Sequence, residues 1–312
     1  MSARAPRIGN ARRVEEPGGR TLLDQSGAMV SMGRSRTFPF PQWRADDPFG
    51  TVYFDEGRGR TVVFVHGLGG NITHWESLAP ELARRHRVVG LDLVGCGASR
   101  KPHRDYTVGL LRDHLLGFLA DRGISRATLV GHSLGGAVCL SAALARPDLV
   151  DRMVLIGAPG LAPFPRWMRW GAPLVLREGL LFPALQVGAN WILDNVFVES
   201  ATVNPHVRHF RESSLRDDPG YPNLRDFARV SATLCRDAVG LDYRGALPDL
   251  KAPVLAIWGD ADRLTALPGA MASFRLIPRV STAVLKGCGH MPMIERPEVV
   301  LDLIRRFLVG PA

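Results

Sequence analysis

The feature that most constrains this chain is an alternation of short apolar segments with longer segments of helical periodicity. The apolar segments are rich in β-branched residues, most are followed within a few residues by glycine, and they lie at 51–54, 61–65, 87–91, 127–130, 153–156, 254–258 and 282–285. The helical segments between them lie at 108–122, 134–145, 267–276 and 297–308. Strands that are apolar throughout are buried on both faces, so the pattern predicts a mostly parallel sheet covered by helices.

Two stretches interrupt this alternation. Residues 1–36 are rich in Arg, Gly and Pro without a helical or strand period, which predicts a flexible leader. Residues 161–247 separate two strands and carry their own apolar side chains, which predicts an inserted helical subdomain. The α/β core is therefore expected to span 37–160 and 248–312.

Composition excludes several classes of function. The 312 residues carry a formal charge of +9, but the basic residues are scattered, so a nucleic-acid surface is not expected. The longest uncharged stretch in the middle of the chain, 179–193, is too short to span a bilayer, and no signal peptide is visible. Four widely spaced cysteines predict reduced thiols and a cytoplasmic protein. The sequence leaves the oligomeric state open.

A Gly-His-Ser-Leu-Gly motif at 131–135 is the strongest chemical signal. It follows a predicted strand and begins a helix of small residues. A serine in such a strand-turn-helix junction is typical of a nucleophile elbow, in which the hydroxyl is exposed on a strained turn. The alternative is an ordinary glycine-rich turn in which Ser133 has no catalytic role.

A serine nucleophile needs a base and an orienting acid. Of the nine histidines, only His290 combines a loop after a strand with the expected chain order of serine, acid and histidine. The loop after strand 254–258 carries two candidate acids, Asp260 and Asp262, and their spacing does not decide between them.

The segment His-Gly-Leu-Gly-Gly at 66–70 follows the strand 61–65. Glycines there free backbone N–H groups to stabilise an oxyanion, and the amides of Leu68 and Leu134 are the expected pair of donors. The alternatives are a tight turn or a phosphate loop, although no Walker-type motif is present.

Together these segments resemble the α/β-hydrolase fold family, in the branch with a Ser-His-Asp triad and a helical cap. The resemblance covers 65–70, 92–99, the elbow at Ser133, 258–262 and 289–297. It implies an eight-stranded, mostly parallel sheet flanked by helices, with the cap inserted after the sixth strand. It also favours Asp262 as the acid, implies no metal or organic cofactor, and separates the chain from relatives with an aspartate nucleophile.

The expected function is that of a serine hydrolase acting on a small carboxylic ester with an apolar acyl or aromatic group. Residues expected to line its pocket, unless they only pack the insert onto the core, are His66, Trp167, Trp170 and Trp191. Two alternatives remain open: a C–C bond hydrolase or acyltransferase with the same triad, and a non-catalytic ligand-binding protein of the same fold.

Overall fold

The computed structural model describes residues 12–14, 22–23, 29–30, 38–198, 203–215, 224–265 and 267–310. The predicted flexible leader, 1–36, lies outside these residues except for three short strands. The described strands are β1 (Arg12–Val14), β2 (Leu22–Leu23), β3 (Met29–Val30), β4 (Gln42–Arg44), β5 (Val52–Gly57), β6 (Thr61–Val65), β7 (Arg87–Leu91), β8 (Ala127–His132), β9 (Val150–Ile156), β10 (Val254–Gly259) and β11 (Val280–Leu285).

Eight strands form the main sheet in the order β4-β5-β7-β6-β8-β9-β10-β11. The neighbours from β7 to β11 are parallel, whereas β4, β5 and β7 pair in antiparallel fashion. This confirms the predicted eight-stranded, mostly parallel sheet. At its β4 edge, β1 adds a ninth, antiparallel strand, and β2 pairs only with β3.

The register brings the ends of the central strands to one edge of the sheet. Val65 of β6 lies opposite Leu91 of β7 and Gly131 of β8. His132, the last residue of β8, lies opposite Ile156 of β9. Loops that leave the carboxyl ends of parallel strands gather over the same edge, and this is where ligands bind in open α/β sheets.

Helices flank both faces of the sheet. The described helices of the chain are α1 (Ala79–Ala83), α2 (Val108–Asp121), α3 (Leu134–Ala145), α4 (Arg166–Val175), α5 (Glu178–Val196), α6 (Pro205–Leu215), α7 (Leu224–Gly240), α8 (Leu267–Phe274), α9 (Pro292–Glu295) and α10 (Pro297–Val309). Two single 3₁₀ turns, Ile72–Trp75 and Leu247–Asp249, complete the described helical elements. None of the helices in the described part of the chain is long and apolar enough to cross a membrane.

The alternation of side chains along the strands produces two apolar layers. On β6, Val63 and Val65 pack with α2, α3 and α8, whereas Val62 and Phe64 pack with α1, α9 and α10 on the opposite face. All four side chains are completely buried. Helices cover both faces because strands of this composition leave no face for water.

The helices α4 to α7 lie between β9 and β10, in the stretch for which the sequence predicts an inserted subdomain. We call them the inserted helices. Helices α4 and α5 both pack against α7, which in turn contacts α2 of the core, and α6 packs against α9. The insert is thus attached to the core near the loops at the carboxyl edge of the sheet.

Candidate active site

Ser133 occupies a strained turn between β8 and α3. Its φ of 49° and ψ of −123° make it the one non-glycine residue with positive φ in the described part of the chain. Such a conformation costs about 1–3 kcal/mol and persists only where the surrounding structure enforces it. Here the Ser133 N–H donates to the carbonyl of Ile156 at 2.8 Å, and the side chain is half-buried. The geometry is that expected of a nucleophile elbow.

The elbow and the loop 66–70 are in close contact, which explains why each of them has a glycine at the contact. A Cβ on Gly135 would overlap the carbonyl oxygens of Val65 and His66, so only glycine lets α3 approach β6. A Cβ on Gly67 would lie 3.0 Å from Cβ of Ser133. The predicted oxyanion loop therefore lies directly beside the predicted nucleophile.

The two expected oxyanion donors flank this contact. Leu134 is the first residue of α3, where backbone N–H groups have no partner within the helix and the helix dipole favours negative charge. Leu68 lies in the turn that follows Gly67, and its side chain is half-buried. Leu134 thus follows Ser133 directly, and Leu68 follows the glycine that lies against Ser133.

His66 holds the loop 66–70 in place through two hydrogen bonds. Its Nδ1 donates to the carbonyl of Gly67 at 2.8 Å, and its Nε2 accepts the N–H of Leu93 at 3.0 Å. Burial lowers the pKa of His66 to about 4, so the ring is neutral and its tautomer is set by these two bonds. The sequence analysis places His66 in the substrate pocket, whereas its ring is completely buried and holds the loop to the end of β7.

Asp262 and His290 form a buried pair. Nδ1 of His290 donates to Oδ2 of Asp262 at 2.8 Å, and both side chains are almost fully enclosed. Burial opposes ionisation of Asp262, but the hydrogen bonds and charge from His290 and Thr265 outweigh it and lower the pKa of the carboxyl. Because an ionised carboxylate only accepts, His290 carries its hydrogen on Nδ1 and leaves Nε2 free to act as a base.

Thr265 is a partner of this pair that the sequence analysis missed. Its hydroxyl donates to Oδ2 of Asp262 at 2.6 Å, and its N–H donates to Oδ1 at 2.9 Å, beside the N–H of Leu264 at 2.8 Å. Three donors from one turn orient the carboxylate and favour its charged form. In the sequence, Thr265 belongs to a short Asp-Arg-Leu-Thr segment. This segment has no periodicity that would indicate a turn around the carboxylate.

The structure also distinguishes the two candidate acids. Asp260 is exposed, and its Oδ1 accepts the N–H of Gly287 at 2.8 Å in the turn after β11. Asp262 faces His290 instead. Although the two carboxylates are only two residues apart, Asp260 stabilises a surface turn and Asp262 contacts the imidazole.

His132 connects the elbow to residues 286–291, between β11 and α9, which we call the histidine loop. Its Nε2 lies 2.9 Å from the carbonyl oxygen of His290, and the two rings lie with their centroids 4.9 Å apart. A carbonyl only accepts, so Nε2 of His132 donates. Burial, reinforced by the neighbouring His290, holds the pKa of His132 well below its ordinary value. A neutral ring beside His290 avoids two adjacent positive charges when His290 takes a proton.

Glu295 is a second residue whose role the sequence did not reveal. It is buried in α9, where Oε1 accepts the N–H of Gly289 at 2.8 Å and Oε2 accepts the N–H of Val198 at 3.0 Å. The N–H of His290 in turn donates to the carbonyl of Val196 at 2.9 Å. One carboxylate therefore joins the histidine loop to the segment that follows α5.

An aromatic side chain from the inserted helices also reaches the site. Phe227 of α7 is half-buried, and its ring lies against Gly69 so closely that a Cβ there would come within 2.5 Å of it. Of the predicted pocket tryptophans, Trp167 and Trp170 are 74% and 77% exposed on α4. Trp191 lies in α5, and its side chain is outside the described part of the structure.

No group of three or more potential metal ligands comes together among the described residues. The four cysteines are unpaired, and three of them are buried. The candidate site offers a serine, an imidazole, a carboxylate and backbone amides.

Comparisons with known proteins show the family of the chain. A family model described as "Alpha/beta hydrolase family" matches residues 62–303. The 2-hydroxymuconate semialdehyde hydrolase of Pseudomonas sp. (strain CF600) is 30% identical over 265 residues, covering 83% of this chain and 90% of that protein.

Two solved structures are also similar. A meta-cleavage product hydrolase from Pseudomonas fluorescens IP01 superposes with a TM-score of 0.66 at 26% identity, covering 83% of this chain and 93% of the other. A thermophilic esterase from Thermogutta terrifontis gives a TM-score of 0.68 at 26% identity, covering 89% of this chain and 96% of the other.

Proposed function

Because the chain belongs to the alpha/beta hydrolase family, we propose that it is a serine hydrolase that cleaves a carboxylic ester with an apolar acyl or aromatic group. The observation that carries the proposal is the buried Asp262–His290 pair, whose imidazole packs against His132, the residue before the strained Ser133. A serine held at positive φ and a histidine with a fixed tautomer are what acyl-enzyme chemistry requires.

In the first half of the proposed reaction, Oγ of Ser133 attacks the ester carbonyl carbon while Nε2 of His290 takes the hydroxyl proton. The electron pair of the carbonyl double bond moves onto oxygen, and the amides of Leu68 and Leu134 stabilise that oxyanion. Collapse of the intermediate breaks the bond to the alcohol oxygen, which leaves with the proton from His290. Asp262 holds the imidazole in the productive tautomer and stabilises its positive form.

In the second half, His290 deprotonates a water molecule that attacks the acyl-enzyme. The second oxyanion collapses, the acid leaves, and Ser133 regains its proton from His290. No metal or organic cofactor takes part in these steps.

The preference for an apolar acyl group is supported by the inserted helices, which we propose act as a cap over residues 37–160 and 248–312. Phe227 lies on the oxyanion loop, and Phe197, whose backbone lies against Gly289, packs on Phe210 with a centroid distance of 5.6 Å. An acyl chain entering between the cap and the elbow would meet aromatic carbon.

Free, mostly buried thiols support a cytoplasmic location for the enzyme.

A second candidate is hydrolysis of a C–C bond. It is favoured by the likeness to a 2-hydroxymuconate semialdehyde hydrolase and to a meta-cleavage product hydrolase. The same serine, base and oxyanion donors would serve, with a stabilised carbon anion leaving in place of the alcohol. An acyltransferase would use the same acyl-enzyme with another alcohol in place of water.

Steady-state kinetics on matched substrates separate these candidates. We expect kcat/KM for p-nitrophenyl esters to rise from acetate to octanoate and to exceed that for a 2-hydroxy-6-oxo-dienoate ring-cleavage product by at least a hundredfold. The reverse order would identify a C–C hydrolase. Turnover of neither class by folded protein would favour a non-catalytic ligand-binding protein.

The role of Phe227 gives a matched control within the same series. Phe227→Ala removes aromatic contact beyond the oxyanion loop, so we expect KM for the octanoate to rise by about tenfold and KM for the acetate to change by less than about twofold. Equal effects on both esters would place the acyl chain elsewhere.

A further inference from the structure

The first two inserted helices expose an unusual amount of apolar surface. The large exposed apolar side chains include Trp167, Trp170 and Leu174 on α4, with Leu180 and Val187 on α5. Their exposed fractions are 74%, 77%, 64%, 56% and 91% respectively. We call these five residues the tryptophan face.

The spacing shows that these side chains form stripes and are not scattered. Trp167, Trp170 and Leu174 lie at positions i, i+3 and i+7 of α4, which share one side of a helix. Leu180 and Val187 likewise lie seven residues apart on α5, with the exposed Pro183 and Ala184 between them. Both helices pack against α7, so each has its other side available for solvent. Stripes of exposed apolar side chains of this kind mark an interaction site.

The charges beside the stripe are mainly basic. Arg166, Arg169 and Arg177 are all exposed, whereas Glu178 is the one carboxylate between residues 161 and 187. On α4, Arg166 precedes Trp170 by one helical turn, so a guanidinium borders the aromatic stripe. Two tryptophans with an arginine border are characteristic of a helix that lies in the headgroup region of a bilayer.

We propose that the tryptophan face binds the surface of a lipid bilayer that contains anionic lipids, with α4 lying in the plane of the membrane. Trp167 and Trp170 enter the headgroup region, and the arginines contact phosphate groups. A helix of ten residues is about 15 Å long, too short to span the bilayer, and none of the described helices spans one. This proposal does not depend on the substrate, because it concerns a surface and not the reacting atoms.

Two other occupants fit the observations less well. A second copy of the chain would bring two arginine-bordered faces of the same charge together, and the protein as a whole carries +9. The other occupant is the substrate, since the sequence predicts that these tryptophans line its pocket. Side chains that line a pocket are mostly covered, whereas both tryptophans are about three-quarters exposed.

Co-sedimentation with vesicles tests the proposal. The Ser133→Ala variant of the full chain is used so that no lipid is hydrolysed. We expect it to sediment with vesicles of 70% phosphatidylcholine and 30% phosphatidylglycerol, to bind at least tenfold more weakly to pure phosphatidylcholine, and to be released by high salt.

Substitutions on the face are then compared with substitutions elsewhere. Trp167→Ala with Trp170→Ala should weaken binding by about tenfold for each tryptophan, and Arg166→Gln with Arg169→Gln by about fivefold for each arginine. The control is Leu276→Ala with Val309→Ala, two exposed apolar residues outside the insert, which should bind as the parent does. Thermal unfolding verifies that each variant is folded.

A measurement on the unsubstituted face makes the test independent of how the variants fold. Lipids brominated near the headgroup end of the acyl chain should quench part of the tryptophan fluorescence of the bound protein, because Trp75 and Trp258 are buried and out of reach. Absence of vesicle binding, absence of quenching, or binding unchanged by the tryptophan substitutions would overturn the proposal. A concentration-dependent dimer that these substitutions abolish, without vesicle binding, would assign the face to self-association.

Discussion

At the scale of single residues, the assignment of the catalytic acid rests on where two neighbouring carboxylates point. Asp262 accepts Nδ1–H of His290, whereas Asp260 accepts a backbone N–H from the turn after β11. The sequence could not separate them, because their spacing depends on a turn that only the folded loop defines. The family pattern favoured Asp262, and the contacts support that choice.

Asparagine at each position tests this assignment. Asp262→Asn removes the acceptor that fixes the imidazole tautomer, so we expect kcat to fall by roughly 10³ to 10⁴. Asp260→Asn keeps an acceptor for Gly287 and should cost about tenfold or less. Hydrolysis of p-nitrophenyl butyrate measures both. A larger loss in Asp260→Asn would transfer the role to that residue.

Buried neutral histidines make stability sensitive to acid. His74 is enclosed beside Phe210, neither ring nitrogen has a hydrogen-bond partner among the described residues, and burial lowers its pKa to about 3. The unfolded chain binds a proton to this residue more readily than the folded chain does. The free energy of unfolding is therefore unaffected by protonation of this residue above the unfolded pKa of about 6.5. It decreases as the pH falls from there toward the pKa of His74 in the folded protein.

Replacing this histidine tests the linkage. Between pH 7.5 and pH 5, one such residue lowers the free energy of unfolding by about 2 kcal/mol. His74→Phe should remove that part of the pH dependence, and His103→Phe, at an exposed position, controls for the loss of a histidine. Urea unfolding at the two pH values measures the difference. An unchanged pH dependence in His74→Phe would show that the folded protein tolerates a charge at that position.

At the scale of elements, α9 and its Glu295 connect the histidine loop with the inserted helices. The carboxylate accepts one N–H from each side, from Gly289 and from Val198. In Glu295→Gln, one of these N–H groups would face an amide NH₂. We expect the loop to shift and kcat to fall by about 10- to 100-fold with KM nearly unchanged, because positioning of His290 is affected and binding is not.

Two measurements separate positioning from general loss of stability. The rate of fluorophosphonate labelling of Ser133 should fall in parallel with kcat, and Glu298→Gln, an exposed carboxylate at the start of α10, should change neither. A Glu295→Gln protein with normal kcat but a lower melting temperature would limit this residue to a structural role.

The elements that the sequence predicts well are those with a strong periodic signal. The predicted helix 134–145 coincides with α3, and the predicted strand 61–65 coincides with β6. Helix α1 and strand β4 were not predicted, because five and three residues are too short to show a period. The roles of Thr265 and Glu295 depend on contacts between distant segments, which no local pattern encodes.

At the scale of the whole molecule, we expect the core of the fold to begin after the N-terminal segment. Among the described residues, both apolar layers consist of Phe38 and residues after it, and β1 forms three residue pairs with β4 at the edge of the sheet. We therefore expect a chain that starts at residue 37 to keep its activity and to melt within about 5 °C of the full chain. Calorimetry and ester hydrolysis check this. A larger decrease in melting temperature would show that residues 1–36 pack against the core.

The overall architecture could be predicted from the sequence because it depends on repeated, local signals. Seven apolar segments between helices predict the parallel sheet, and the chain order of Ser133, Asp262 and His290 predicts which loops meet. The position of the tryptophan face could not be predicted, because helical periodicity shows that residues share a side but not whether a neighbour covers that side.

The central claim is that Ser133 is a nucleophile activated by His290 and Asp262. It is tested most directly by treating the folded protein with a fluorophosphonate and locating the adduct by mass spectrometry. The account predicts one phosphonate per chain, attached to Ser133, no labelling of Ser133→Ala, and labelling of Asp262→Asn slowed by about a thousandfold or more. Inertness of the folded wild-type protein, or an adduct on another residue, would contradict it.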